Sequence, residues 1–389
     1  MGNCDTITNH SKKLRILSQK NLYKNPYSNS SSSLPNYNFD LPKEADSPMF
    51  HKKYHSVRKS SLHDEKQYIL PIELANREDI TKKYKLTKKI LGDGGTSLVY
   101  FAENSAKKPF AIKRINKDTF NMNKKAIIKE AEICLKINHK NIIKYYEIFE
   151  DNIYINIVME QGQIDLFEFL IKSPIGYIPE LLAIEFMMQI FEAIDYIHSI
   201  NIIHCDIKPE NFVLKFEKNK AELKLIDFGN VRRKNKNNEK LFNFSGTKEY
   251  IAPEALDNIG FDEKVDEWAA GVIMFNLLTG ADPFSSDNDS DYKDNIRYKN
   301  IKFEYIKNES LRNLNKKLLN RFVAKRISSK EALIEIKRIK EERDNYYRGQ
   351  KRLTKKTPSI VLKKEFKETK EYMNYWDTVT TRVNNLNFL

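Results

Sequence analysis

The sequence predicts an α+β protein in which a small lobe rich in strands is followed by a larger lobe built mainly of helices. The first observation is a series of short apolar runs, separated by turns, between about residues 84 and 159. The second is that long apolar stretches with helical periodicity come later, around 179–199 and 264–278. Because strands precede helices instead of alternating with them, we expect a small sheet beside a helical body.

The small lobe begins near Tyr84, and its predicted elements follow in a simple order. A glycine-rich turn separates the first two strands, and one helical pattern interrupts the later ones. The first predicted strand ends at Leu91, and the second runs through Val99–Phe101. Two further strands cover 110–113 and 153–159, and the predicted helix covers 124–137.

The composition excludes several classes of protein. The chain has 389 residues, and 67 Lys and Arg against 53 Asp and Glu leave a formal charge of +14. The three cysteines are widely spaced, so we expect neither a disulfide framework nor a cysteine-held zinc ion. Without a long apolar run or a secretory signal, we expect a cytoplasmic protein with no membrane span. The charge permits anionic partners, but no zinc-finger, RNP or helix-turn-helix signature predicts nucleic acid among them.

Residues 1–80 are rich in Ser, Asn, Lys and Pro and predict a disordered tether. The opening Met-Gly-Asn-Cys-Asp-Thr matches the N-myristoylation signal, with Gly2 as the acceptor. Cys4 offers a thiol for palmitoylation, and basic residues follow it. One myristoyl chain binds a bilayer only marginally, and these features would supply a second signal. We therefore expect a peripheral, lipid-anchored protein at the cytosolic face of a membrane. The alternative is a disordered basic tail with a fortuitous Gly2.

The glycine-rich turn reads GDGGTSLV and runs from Gly92 to Val99. Glycine lets backbone N–H groups approach phosphates closely, although a bare hairpin turn would explain it equally well. About twenty residues later, Lys113 ends an apolar strand, where an ammonium group needs an acidic partner. Glu130 on the predicted helix is a suitable partner, and Glu132 is the competing one.

A second group of polar residues lies in the stretch IIHCDIKPEN and shortly after it. Asp206 can accept a proton from a substrate hydroxyl, and Lys208 can neutralise a phosphoryl group in transfer. Asn211, and Asp227 at the end of a later apolar strand, can hold Mg²⁺ through oxygen atoms. A phosphate cradle, a cationic clamp, a metal site and a base are the parts that phosphoryl transfer needs.

With these motifs in this order, residues 84–340 resemble a eukaryotic serine/threonine protein kinase domain, which implies the bilobal protein kinase fold. The runs FDEKVDEW and LTGADPF are most similar to the calcium/calmodulin-dependent group, especially the calcium-dependent protein kinases of protists and plants. The chain has no EF-hand signature, however. Its aspartates at 287–291 lack the glycine and glutamate that a calcium loop needs, so we expect a solvated acidic loop there.

The resemblance implies ATP and Mg²⁺ as cofactors and protein serine or threonine hydroxyls as acceptors. It also assigns roles to individual residues. The catalytic residues would be Asp206 and Lys208, the metal ligands Asn211 and Asp227, and the ATP-binding residues Leu91, Gly92, Asp93, Gly94, Gly95, Val99, Ala111, Lys113, Glu130, Met159 and Glu160.

The same resemblance implies an activation segment that begins at Asp227 and Gly229, passes Thr247 and ends at Glu254. A late arginine of the family pairs with the glutamate at the end of this segment, and Arg326 matches it. We therefore expect a buried structural ion pair between Glu254 and Arg326.

Two features favour a particular kind of substrate. Lys208 and Thr247 occupy positions that are typical of serine/threonine kinases. Asp165 and Glu210 match positions at which related kinases hold basic residues upstream of the acceptor, which favours substrates of the R-x-x-S/T type.

Cys205 departs from the family pattern, because related kinases carry there an arginine that pairs with a phosphate on the activation segment. The usual acceptor position in that segment is Asn243, and the only hydroxyl between Asn230 and Gly246 is that of Ser245. We therefore predict a kinase that activation-loop phosphorylation does not control. The alternative is a catalytically impaired pseudokinase acting as a membrane-tethered scaffold.

Residues 342–389 form a tail that is basic in its first part and then has apolar residues at helical spacing. The pattern predicts a short amphipathic helix. It would pack on the kinase lobe, bind a partner protein or bind calmodulin. Its apolar positions are Tyr372, Trp376, Val379, Val383 and Leu386.

Overall fold

The amino-terminal lobe is built on one antiparallel sheet of five strands. The computed structural model describes residues 75–94, 97–117, 124–217, 220–234 and 239–353. The strands are β1 (Tyr84–Gly94), β2 (Ser97–Asn104), β3 (Pro109–Asn116), β4 (Tyr145–Glu150) and β5 (Tyr154–Met159). Their order is β1-β2-β3-β5-β4, so β1 and β4 form the two edges. The first strand continues past its predicted end at Leu91.

One face of this sheet is covered by apolar side chains, because alternate residues of a strand share a face. The buried cluster on that face consists of Ile80, Tyr84, Ala102, Phe110, Ile112, Phe149 and Val158. The same alternation directs Lys113, the neighbour of Ile112, to the opposite face. A helix between β3 and β4, α1 (Lys124–Lys136), carries the lysine's predicted partner Glu130.

The carboxy-terminal lobe is helical. Its helices are α2 (Leu166–Ile171), α3 (Glu180–Ser199), α4 (Pro253–Leu256), α5 (Lys264–Thr279), α6 (Asp289–Tyr298), α7 (Glu309–Leu318) and α8 (Ser329–Leu353). Helix α5 is buried along nearly its whole length, as expected of a helix that is apolar on all sides. It ends at Gly280, whose φ of +68° gives a left-handed cap that glycine adopts without strain.

Two small sheets lie between residues 164 and 233. One has the order β6 (Ile164–Asp165), β8 (Phe212–Glu217) and β9 (Lys220–Leu225), and the other pairs β7 (Ile202–Ile203) with β10 (Arg232–Arg233). The loop between β7 and β8 contains Asp206, and the turn between β9 and β10 contains Asp227.

The predicted acidic loop at 287–291 is wrong, since most of it forms the first turn of α6. The side chain of Asn288 caps this helix by accepting a hydrogen bond from the Asp291 N–H at 2.8 Å. Aspartates are favourable in a first helical turn because they face the positive end of the helix dipole.

Regular structure also extends beyond both ends of the predicted kinase domain, 84–340. The folded part begins before residue 80, because Asn76 is hydrogen-bonded to β4 and Ile80 is buried. At the other end, α8 runs through residue 340 to Leu353 without a break.

Several predictions fall outside the described residues. These concern the acylation residues Gly2 and Cys4, Gly95 of the glycine-rich turn, and the tail helix at 372–386. Within the part of the chain that the structure describes, no helix is long and apolar enough to cross a membrane.

Candidate active site

Lys113 lies at the centre of a cluster of charges between the lobes. Its Nζ is 2.7 Å from Glu130 Oε1 on α1 and 3.0 Å from Asp227 Oδ1. Burial by itself lowers the pKa of Lys113, but the two carboxylates more than offset this and raise the pKa above its ordinary value. Lys113 is therefore a permanently charged clamp, and Glu130, not Glu132, is the residue that holds it.

Asp227 follows β9 with a φ of +63°, a conformation that few residues with side chains adopt. The ammonium of Lys113 lowers the pKa of Asp227 to about 2, so the carboxylate is ionised at neutral pH. Its side chain remains 44% exposed and thus accessible to a ligand. Gly229 lies beside it, since a Cβ added there would be 3.4 Å from Asp227 Oδ1.

The loop that carries Asp206 is held by Asp266 of helix α5. The two carboxylate oxygens of Asp266 accept hydrogen bonds from the backbone N–H groups of His204 and Cys205, at 2.8 and 2.9 Å. Cys205 has a φ of +64°, a strained conformation that costs of order 1–3 kcal/mol. The bonds to Asp266 stabilise that conformation and so fix the direction in which the next residue, Asp206, points.

Asp206, Lys208 and Thr247 form a triangle of hydrogen bonds. Asp206 Oδ1 accepts from the hydroxyl of Thr247 at 2.7 Å and from its N–H at 3.0 Å. Lys208 Nζ is 2.7 Å from Thr247 Oγ1 and 3.2 Å from Asp206 Oδ2. The activation segment therefore meets the catalytic loop directly at the base and the cation that phosphoryl transfer needs.

The residues predicted to hold Mg²⁺ fit that ion chemically. The amide nitrogen of Asn211 donates to the carbonyl oxygen and to Oδ2 of Asp206, at 2.7 and 3.1 Å, which leaves the amide oxygen for a cation. Asp227 adds an ionised carboxylate. Mg²⁺ is commonly held by one or two such oxygen ligands together with substrate phosphates. Among the described residues, no group of three or more His, Cys, Asp and Glu side chains could hold a metal by itself.

The predicted nucleotide pocket is formed by residues that share one face of the sheet. Val99 lies opposite Lys113 in the β2–β3 register, and Met159 lies opposite Ala111 in the β3–β5 register. Since Ala111 and Lys113 are two residues apart on one strand, all four side chains point the same way. The sheet thus places an apolar surface beside the charged clamp. The apolar surface suits the adenine ring of a nucleotide, and the clamp suits its phosphates.

The ends of this pocket are formed by β1 and by the segment after β5. Hairpin pairing continues through Gly92 and Asp93 to Gly94, and Leu91 is partly exposed beside them. The side chain of Glu160 has a structural role, because its carboxylate binds Lys215 Nζ at 2.7 Å and accepts from a backbone N–H. Its own backbone N–H donates to a carbonyl oxygen, so only its carbonyl could face a ligand.

Glu254 and Arg326 form the buried pair at the end of the activation segment. Two parallel hydrogen bonds of 2.6 and 3.0 Å join them, and the side chains are 3% and 0% exposed. A bidentate pair of this kind fixes both distance and orientation. It therefore anchors the segment that carries Thr247 to the end of the helical lobe.

Asp165 begins helix α2, where its Oδ1 accepts a hydrogen bond from the Glu168 N–H at 2.7 Å. Burial, together with the nearby charges of Glu168 and Glu210, raises the pKa of Asp165 to about 6. Asp165 and Glu210 thus lie close enough to sense each other electrostatically. Together they form an acidic region near the catalytic loop.

Two important residues, Asp266 and His198, were absent from the predicted site. His198 Nε2 lies 2.9 Å from Asp266 Oδ2, and its other ring nitrogen lies 3.4 Å from Glu267 Oε1. Burial lowers the pKa of His198, but Glu267 and Asp266 raise it to about 10. A signal was available, since adjacent carboxylates at buried positions of an apolar helix need a partner.

Comparison with known proteins agrees with this geometry. The chain is 37% identical over 241 residues to calcium-dependent protein kinase 5 of Plasmodium berghei, covering 61% of this chain and 42% of that protein. It is 36% identical over 213 residues to myosin light chain kinase A of Dictyostelium discoideum, covering 54% and 70%. It is 34% identical over 216 residues to human calcium/calmodulin-dependent protein kinase type IV, covering 55% and 44%. The chain thus spans less than half the length of two of these relatives. Residues 84–335 match the protein kinase domain, and the chain belongs to the protein kinase family.

Proposed function

We propose that this chain transfers the γ-phosphate of ATP, with Mg²⁺, to serine or threonine hydroxyls of protein substrates. The observation that carries the proposal is that the Lys113–Glu130 clamp with the ionised Asp227 lies near the Asp206–Lys208 pair. Asn211 links the two groups, because it donates to Asp206 and accepts from the N–H of Ile226, the residue before Asp227. In the reaction, the hydroxyl oxygen forms a bond to the γ-phosphorus while its proton passes to Asp206. The bond from the γ-phosphorus to the bridging oxygen breaks, and ADP leaves.

The test is transfer of labelled γ-phosphate to a peptide by the full-length chain. Asp206→Asn is a matched control because it keeps the size of the side chain but removes the base. We expect this variant to lose on the order of 10²- to 10⁴-fold in kcat. A wild-type protein no more active than Asp206→Asn would refute the proposal. Stabilisation by MgATP without turnover would instead favour the pseudokinase alternative.

The acceptor class is supported by Lys208 and Thr247. The hydroxyl of Thr247 already occupies one oxygen of Asp206 and lies beside the Lys208 ammonium. A substrate serine or threonine would present the same group to the same carboxylate. Peptides that differ only in having serine, threonine or tyrosine at the acceptor position test this point, and equal use of tyrosine would contradict it.

A preference for basic residues upstream of the acceptor is supported by the acidic region of Asp165 and Glu210. An arginine three residues before the acceptor would gain from a carboxylate that is partly withdrawn from water. The measurement is kcat/KM for a peptide with that arginine against its alanine analogue. Equal values for the two peptides would exclude the preference.

Independence from activation-loop phosphorylation is supported by contacts that hold the segment without a phosphate. Arg232 donates to the carbonyl oxygen of Asn243 at 3.1 Å, and the Asn243 N–H donates to a side-chain oxygen at 3.0 Å. Gly246 packs so closely that an added Cβ would be 2.3 Å from the carbonyl oxygen of Cys205. Protein treated with phosphatase should therefore keep its activity. A phosphate within 230–247 that proves necessary would refute this.

Membrane attachment is a proposal from the sequence alone, through myristoylation of Gly2 and palmitoylation of Cys4. Two acyl chains would give stable binding, whereas one gives a marginal association. Gly2→Ala should move the protein from the membrane fraction to the soluble one, and Cys4→Ser should leave a weaker, reversible association. Unchanged partitioning of Gly2→Ala would count against acylation.

A further inference from the structure

Residues 75–82 precede the matched kinase domain and lie along the sheet; we call them the N-terminal strap. The Asn76 N–H donates to the carbonyl oxygen of Ile148 at 2.8 Å, and the carbonyl oxygen of Asn76 accepts from the Glu150 N–H at 2.9 Å. These bonds add the strap as an extra bridge at the free edge of β4. Ile80 of the strap belongs to the buried apolar cluster. The strap is therefore part of the folded lobe.

An ionic triad joins the strap to the end of β3. Glu150 Oε2 pairs with Arg77 Nη1 of the strap, and Glu150 Oε1 lies 2.6 Å from Lys117 Nζ. The Glu150 side chain is only 2% exposed, so water screens these interactions weakly. Burial and the charge of Arg77 both lower the pKa of Lys117, although the charge of Asp151 opposes this, so the two cations lie close enough to affect each other electrostatically. A substitution of Arg77 would therefore alter the electrostatic environment of Lys117.

Lys117 in turn directly follows β3, the strand that carries Lys113. It is four residues beyond Lys113, and its N–H donates to the carbonyl oxygen of Ile153 at 2.9 Å. Further along the chain, α1 carries Glu130. Because Lys113 Nζ and Glu130 Oε1 are only 2.7 Å apart, a small displacement of the end of β3 would lengthen the bond between them.

We propose that the N-terminal strap is a positioning element for the ATP site. Arg77, acting through Glu150 and Lys117, holds the end of β3, the strand on which Lys113 pairs with Glu130. The strap directly continues residues 1–74 along the chain. The activity part of its test rests on the proposed function, whereas the nucleotide-binding part does not.

The test compares full-length wild type with Arg77→Ala and Arg77→Lys. Arg338→Ala is the matched control, because Arg338 is an exposed arginine that also has a carboxylate partner. We measure the Kd for MgATP by calorimetry, and KM for ATP and kcat by phosphate transfer, well below the unfolding temperature. Arg77→Ala should weaken the binding of ATP by roughly 2- to 30-fold, the usual range for residues that act through a network. Arg77→Lys should recover part of the lost affinity, because lysine restores the positive charge but not the planar guanidinium group.

The outcomes separate three cases. A lower Tm in Arg77→Ala with an unchanged Kd and KM for ATP would make the strap purely structural and overturn the proposal. If Arg77→Ala does not fold, Glu150→Gln takes its place and must show the same loss of ATP affinity, or the proposal fails. A wild type that binds MgATP but transfers no phosphate would refute the proposed function, while the Kd comparison would still decide the role of the strap.

Discussion

The buried pair of Glu254 and Arg326 allows a quantitative test of how the activation segment is anchored. Besides the two bonds to Glu254, Arg326 donates to the carbonyl oxygens of Asn320 and Lys264, at 3.0 and 2.7 Å. Arg326→Ala would leave the carboxylate of Glu254 buried without its cation. Breaking a buried pair from one side costs about 3–5 kcal/mol. In a domain of this size each ~1 kcal/mol shifts Tm by about 2–4 °C, so we expect a loss on the order of 6–20 °C.

The assay is thermal unfolding of the full-length chain by calorimetry, with Glu254→Gln, Arg326→Ala and the double variant. A neutral amide costs less to bury than an unpaired carboxylate. The double variant with Glu254→Gln and Arg326→Ala should therefore be more stable than Arg326→Ala alone. The exposed Arg338→Ala should change stability by less than about 0.5 kcal/mol. A Tm loss below about 3 °C in Arg326→Ala, or a double variant no more stable than that single variant, would refute the reasoning.

Three further predictions concern the cleft and its supports. Lys113→Met removes the cation beside Asp227 and should lower kcat/KM for ATP on the order of 10²-fold or more. The control is Lys88→Met, at an exposed position of β1, which should leave kcat/KM unchanged. A smaller loss in Lys113→Met would contradict the role of Lys113 as a clamp. Burial raises the pKa of Asp165 to about 6, so it ionises only as the pH rises through that value. The advantage of a peptide with upstream arginine should therefore grow from about pH 5 to about pH 7.5, and Asp165→Asn should remove this dependence. The pKa of His198 is raised from 6.5 to about 10, so its stabilisation is complete below pH 6.5 and is lost as the pH rises through about 10. The free energy of unfolding in urea should fall at alkaline pH in the wild type but not in His198→Gln. The same pH dependence in both proteins would exclude a stabilising charge on His198.

The main parts of the fold and the site could be read from local patterns. Lys113 and Asp227 are recognisable because each is a charged residue at the end of an apolar strand, where only a functional or paired group is stable. Asp206 is recognisable from the run of polar residues in IIHCDIKPEN, in which it lies with Lys208 and Asn211. The order of strands and helices predicted the two lobes for a similar reason. Each element's periodicity is a property of neighbouring residues, so a single sequence contains it.

Other features depend on residues that are distant in the sequence. Nothing near Cys205 indicates its left-handed backbone, because the bonds that stabilise it come from Asp266 on a later helix. The acidic stretch at 287–291 was predicted as a loop because its charges suit solvent, yet the same charges stabilise the start of a helix. The strap was missed because its sequence is polar and its burial depends on a strand edge about seventy residues away.

The sequence by itself therefore determined the chemistry of this protein: which residues can clamp phosphates, accept a proton and hold a metal. These capacities belong to side chains and to short spacings along the chain. Only the tertiary structure decided which of them meet. It selected Glu130 over Glu132, set Asp266 beneath the catalytic loop, and joined Arg77 to Lys117 through Glu150. The physical reason is that an ion pair or hydrogen bond requires contact within about 3 Å, and long-range packing alone brings such groups together.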